Sequence, residues 1–104
     1  MTPDTMPEIP SLMAASIKVP QHVVYRRFPS ETVVLNLETG RYHGLNASAG
    51  KMLEALERAP SFGEALAEIA SGYQQPTDVL ERDLRELCNV LQERGLIEID
   101  GGSN

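Results

Sequence analysis

Cysteine, aromatic residues and long apolar runs are all scarce in this chain of 104 residues. The single cysteine, Cys88, excludes an intramolecular disulfide and a cysteine zinc cluster, and it is compatible with a reducing cytosol. No segment approaches the ~20 apolar residues of a membrane span, and no basic segment followed by an apolar run indicates a secretory signal. We therefore expect a cytoplasmic protein without a membrane partner.

Positive charge is scarce in the C-terminal half. The formal net charge of the chain is −6, and residues 46–104 hold five basic against eleven acidic side chains. Such a surface repels phosphate backbones, so it argues against nucleic acid as the main partner. With 41% hydrophobic residues over this length, we expect one globular domain, which has room for a core but not for a deep active-site cavity as well.

Proline is concentrated near the N-terminus. Residues 1–21 contain four of the seven prolines, a density that blocks regular helices and strand pairing. We expect this segment to be a flexible or loosely docked arm. Residues 22–99 then form the folded domain, and residues 100–104 form a disordered tail.

Three strands are predicted before any helix. Residues 22–28, 31–37 and 41–45 are rich in strand-forming side chains, and the links between them are short and carry turn residues. Short links predict an antiparallel meander. Three short strands need a helical layer on one face to be stable.

Three helices follow, each with a capping signal. Asn46 precedes a helix over 47–58, and Ser61 with Glu64 forms a capping box before a helix that ends near residue 71. Thr77 precedes a third helix over 78–94, and residues 96–99 resemble a last short strand. The order predicts an α+β fold, similar to a winged helix-turn-helix, with a three-stranded antiparallel sheet followed by three helices.

Three segments in this order resemble the PqqD-like family, the leader-recognition elements of ribosomally made, modified peptides. Residues 37–46 (LETGRYHGLN) are similar to that family's strand-turn-strand, which runs into a helix cap. Residues 61–73 are similar to its capped middle helix. Residues 80–97 resemble the end of its long third helix. The short third strand, with the Arg-Tyr pair of residues 41–42, is similar to that of the leader-binding proteins of lasso-peptide clusters.

The resemblance implies a mechanism that needs no catalytic group. A leader peptide adds as a further strand along the edge of residues 41–45 and rests its apolar side chains against the third helix. The chain would then be a non-catalytic adaptor without a cofactor that presents a precursor peptide to a leader peptidase, a cyclase or a radical SAM enzyme. An open edge also allows two copies to pair, which would give a homodimer.

The candidate peptide-binding residues lie on these two elements. On the strand, Arg41 is expected to reach an acidic leader residue, and Tyr42 or His43 to pack against the peptide. On the third helix, one flank of a leucine stripe (residues 80, 84, 87 and 91) is expected to form a shallow apolar groove with a carboxylate. The helix candidates are Val79, Asp83, Glu86, Leu87 and Val90.

Two other classes of function compete with the adaptor. The topology allows a winged-helix DNA-binding regulator, but residues 78–94 hold three basic against five acidic side chains, which is unfavourable for phosphate contacts. A small enzyme would need a constellation of catalytic groups. His22, His43 and Cys88 are spread over three elements without catalytic or metal-ligand spacing, so we expect neither a catalytic residue nor a metal site.

Overall fold

The computed structural model describes residues 12–101 of the chain. The order is β1 (Ser16–Lys18), β2 (Val23–Arg27), β3 (Glu31–Asn36), β4 (Tyr42–Asn46), α1 (Ala47–Arg58), α2 (Phe62–Gly72), α3 (Thr77–Glu93) and β5 (Glu98–Asp100). The predicted α+β class, with a three-stranded antiparallel sheet followed by three helices, is confirmed. No helix in this described stretch is both long and apolar enough to cross a membrane.

Strands β2, β3 and β4 form an antiparallel meander with β3 at its centre. The Asn36 side chain holds the turn between β3 and β4, because its Oδ1 accepts hydrogen bonds from the backbone N–H groups of Glu38 at 2.9 Å and Thr39 at 3.2 Å. Gly40 has a φ of 75°, a left-handed conformation that glycine adopts without steric cost. The turn therefore sets the register of β4 against β3.

A second sheet of two strands joins the two ends of the described chain. β1 pairs antiparallel with β5, and Ile17 lies opposite Ile99. For residues 12–21, this differs from the flexible or loosely docked arm that the proline content predicts. The segment between Pro10 and Pro20 contains no proline, so it can pair as a strand, and Ile17 is buried in the core. Burial of an apolar side chain stabilises the docked segment.

The C-terminal strand begins later than the sequence predicts. The first two residues of the predicted strand 96–99 are buried in the core, and β5 covers Glu98–Asp100. It therefore includes the first residue of the tail expected at 100–104. The expectations for residues 1–11 and 102–104 lie outside the described residues.

Side-chain caps start the first two helices where the sequence predicts. Asn46 Oδ1 accepts a hydrogen bond from the backbone N–H of Ala49 at 2.8 Å, and Ser61 Oγ accepts one from Glu64 at 3.2 Å. Thr77, the predicted cap of the third helix, instead lies within α3, and no side chain caps that helix. Pro76 occupies the N-cap position of α3, and its ring carries no oxygen that could accept a hydrogen bond from the first backbone N–H groups of the helix.

Helix α3 contributes a row of fully buried side chains to the core: Leu80, Leu84, Cys88 and Leu91. The sequence pattern placed Leu87 in this row, but Leu87 is only half-buried at its edge. Neighbouring positions on a helix lie about 100° apart, so the docking angle of α3 decides which of them faces inward. The flank that carries Leu87 is left partly open, and it faces β4.

Candidate functional site

Strand β4 forms one edge of the three-stranded sheet. Among residues 12–101 its only strand partner is β3, because β1 and β5 form a separate sheet. The backbone N–H of Asn36 donates to the carbonyl of Arg41 at 2.8 Å. Bonded and non-bonded pairs alternate along an antiparallel ladder, so His43 and Leu45 bond to β3 while Tyr42 and Gly44 direct their N–H and C=O groups to the open edge.

The register also decides which β4 side chains face the helices. His43 lies opposite Val34 and Leu45 opposite Thr32, two residues of β3 that are buried against the helical layer. Side chains alternate between the two faces of a strand. His43 and Leu45 therefore face the helices, whereas Tyr42, which is 74% exposed, lies on the outer face of the sheet.

Two adjoining depressions run between β4 and α3, and we call them together the β4–α3 groove. One, of about 390 Å³, is lined by His43, Asn46, Ser48, Ala49, Met52, Asp83, Glu86, Leu87 and Val90. The other, of about 610 Å³, is lined by Asn36, Thr39, Arg41, Tyr42, His43, Glu93, Arg94 and Leu96. They meet at His43, and residues at both ends of β4, Tyr42 and Asn46, line the groove.

Seven of the eight sequence-predicted site residues line this groove, although the side chain of Tyr42 lies on the outer face of the sheet. Val79 alone is not among its lining residues, although it is half-buried one turn before Asp83 on the same helix. Val90 is 38% exposed, so part of its apolar surface is open to the groove. The peptide-binding roles of all eight residues stay predictions.

Sequence reasoning missed Met52 and Arg94. Met52 is buried and lies under the groove between α1 and α3. Arg94 follows the helical spacing that already connects Asp83, Leu87 and Val90, so one more turn of the same pattern would have included it. Met52 has no such signal in the sequence, because only the packing of α1 brings it to the groove.

The groove has an apolar centre with charged side chains at its ends. Asp83 and Glu86 lie at the end near the start of α1, and Arg41 and Arg94 lie at the opposite end. Burial and the nearby guanidinium of Arg94 hold the pKa of His43, between these ends, below its usual value. Its ring is therefore neutral at pH 7, and it can donate or accept a hydrogen bond.

Cys88, which follows Leu87 on α3, is not equipped as a nucleophile. Its side chain is buried in the core, and this burial raises the pKa of the thiol to about 12. A protonated thiol in apolar surroundings is unreactive. Within residues 12–101, no group of three or more histidine, cysteine, aspartate or glutamate side chains is arranged to hold a metal ion.

Comparison with known proteins identifies the family. Residues 31–97 match the family model described as coenzyme PQQ synthesis protein D (PqqD). This match includes β3, β4, the three helices and therefore the whole β4–α3 groove. A comparison with curated protein sequences gives no match.

Two solved structures have a similar fold. One is TbiB1 in complex with the TbiA(beta) leader peptide, which is 32% identical, with 78% of this chain and 94% of that chain covered and a TM-score of 0.71. The other is a lasso peptide synthetase B1 complexed with the leader peptide, which is 22% identical, with 80% and 98% covered and a TM-score of 0.71. The second likeness shows the fold alone. The family model and the more similar structure together show that this chain belongs to the PqqD family.

Proposed function

We propose that this chain is a leader-peptide-binding adaptor of ribosomal peptide biosynthesis, and that the peptide lies along β4 in the β4–α3 groove. The observation that carries the proposal is an open strand edge beside a groove with an apolar centre. Similar proteins with this fold have been solved as complexes with leader peptides. The resemblance to PqqD-like recognition elements supports the same function.

Strand addition would use the backbone of β4. The outward N–H and C=O groups of Tyr42 and Gly44 offer four hydrogen-bonding groups to an incoming chain, and each new bond is worth about 0.5–1.5 kcal/mol. Alternate side chains of the peptide would enter the groove and contact Leu87, Val90 and His43. The backbone would supply affinity, and the groove would supply selectivity.

The chain would act without chemistry of its own. A bound leader holds the rest of the precursor near a partner enzyme, which raises its effective concentration there. We propose a leader peptidase and a cyclase as partners, or a radical SAM enzyme in a different type of pathway. No cofactor is needed for this role.

DNA binding is not supported. The helix that would enter the major groove, α3, exposes Asp78, Glu86 and Glu93, and these carboxylates would face phosphates. The comparisons give no DNA-binding relative. Pairing of two copies through β4 would cover the same edge as the leader, so a homodimer formed this way should dissociate when the leader binds.

The direct test is a titration of the full chain with a fluorescent leader peptide from the precursor encoded beside its gene. We expect saturable binding in the micromolar range or tighter, and no comparable binding of a scrambled peptide of the same composition. The absence of binding at tens of micromolar, or equal binding of the scrambled peptide, would overturn the proposal.

A further inference from the structure

The β4–α3 groove carries charge of opposite sign at its two ends. Its acidic end holds the carboxylates of Asp83 and Glu86, and its basic end holds the guanidinium groups of Arg41 and Arg94. Glu93 also lines the basic end, and Arg82 Nε lies 3.8 Å from Asp83 Oδ1 at the acidic end. The acidic end therefore keeps one unbalanced negative charge, and the basic end keeps one unbalanced positive charge.

The two ends are far enough apart to act separately. Asp83 and Glu86 lie eleven and eight positions before Arg94, which at ~1.5 Å per residue gives about 16 and 12 Å. The Debye length at physiological ionic strength is about 8 Å. A charge on a bound peptide therefore interacts mainly with the end that it contacts.

The distance between the two ends also sets the number of peptide residues that the groove accommodates. An extended chain advances ~3.3 Å per residue, so about five residues reach from one end of the groove to the other. Between the ends, the peptide passes the apolar side chains of Leu87 and Val90 and the neutral ring of His43. A charged peptide side chain in this central part would lose hydration without gaining an oppositely charged partner.

On this geometry we infer that the chain selects leader segments with a defined charge order: a basic residue at the end near Asp83 and Glu86, apolar residues in the centre, and an acidic residue at the end near Arg41 and Arg94. The inference rests on the proposed leader binding and adds the chemistry of the ligand. Each end is exposed, so each favourable pair contributes modestly.

The test is a lysine and glutamate scan over the groove-binding residues of the same leader probe, measured by fluorescence anisotropy against the full chain. We expect lysine to be preferred over glutamate by about fivefold at the acidic end, which corresponds to ~1 kcal/mol. The preference should be opposite, and of similar size, about five residues away. In the variant Asp83→Lys/Glu86→Lys, the preference at the acidic end should reverse, while that at the basic end stays.

Matched controls separate a local effect from net charge. Arg41→Glu/Arg94→Glu should reverse only the preference at the basic end, whereas Lys51→Glu and Glu64→Lys, exposed positions outside the groove, should leave both preferences unchanged. Circular dichroism checks that each variant is folded, and the two reversals provide independent tests if one variant is not.

The outcomes distinguish this inference from the proposed function. If the parent probe binds but the scan is flat within twofold, or the preferences persist in the reversed variants, the charge order is wrong and leader binding stands. If the parent probe does not bind at all, both proposals fail.

Discussion

Replacement of Gly44 with proline perturbs the open edge of β4 while leaving its pairing with β3 intact. The N–H of Gly44 points away from β3, so the substitution removes no hydrogen bond within the sheet. Proline is tolerated on edge strands whose N–H faces solvent. His43, the preceding residue, is already in a strand, the conformation that a following proline requires.

The expected cost to leader binding has two parts. One hydrogen bond from the Gly44 N–H is lost, worth about 0.5–1.5 kcal/mol. The pyrrolidine ring also occupies the position that the incoming backbone would take, which prevents neighbouring bonds from forming at full strength. We expect a combined loss of at least ~1.4 kcal/mol, or a tenfold increase in Kd.

Fluorescence anisotropy with the leader probe measures the effect, and thermal melts check that the variant is folded. Gly44→Ala is the matched control, because it keeps the N–H and its Cβ would lie 3.9 Å from Glu31 Oε1, an ordinary contact. Alanine should bind as the parent does. Equal affinity of the proline variant, with an unchanged melting temperature, would refute strand addition at β4.

Three further predictions concern the groove, the core and the thiol. Val90→Glu puts a carboxylate at the apolar centre of the groove, so the Kd for the leader should rise about tenfold with little change in melting temperature; unaltered binding would remove Val90 from the site. Gly50→Ala would bring its methyl group within 2.8 Å of Thr32 Cβ, so denaturant titration should show a loss of ~1–3 kcal/mol in unfolding free energy. An unchanged unfolding free energy would show that α1 and β3 can move apart at little cost. Burial raises the pKa of the Cys88 thiol to about 12, so a disulfide reagent at pH 8 should label it only after unfolding; rapid labelling of the folded chain would contradict its burial.

Much of the fold could be predicted from local sequence signals. The helix starts after Asn46 and Ser61 follow from side chains that accept backbone N–H groups within three residues, and the strands follow from β-branched runs between turns. These features depend on neighbours in the sequence, so they can be inferred without a three-dimensional structure. The edge of residues 41–45 and the third helix were predicted as the site on a different basis, because the resemblance to the PqqD-like family implies strand addition there.

Features that depend on packing could not be inferred. The pairing of β1 with β5 joins residues 80 or more positions apart, and three-residue strands carry little signal of their own. The docking angle of α3 decides that the side chain of Cys88, and not that of Leu87, lies in the core row. Met52 reaches the groove only because α1 packs beside β4.

Amide hydrogen exchange of the full chain, measured residue by residue by NMR with and without saturating leader peptide, tests strand addition at β4 most directly. The N–H groups of Tyr42 and Gly44 should exchange rapidly in the free chain and at least about tenfold more slowly in the complex, whereas those of His43 and Leu45 should be protected in both. Unchanged exchange at Tyr42 and Gly44, with new protection at Tyr25 on the opposite edge of the sheet, would contradict the account.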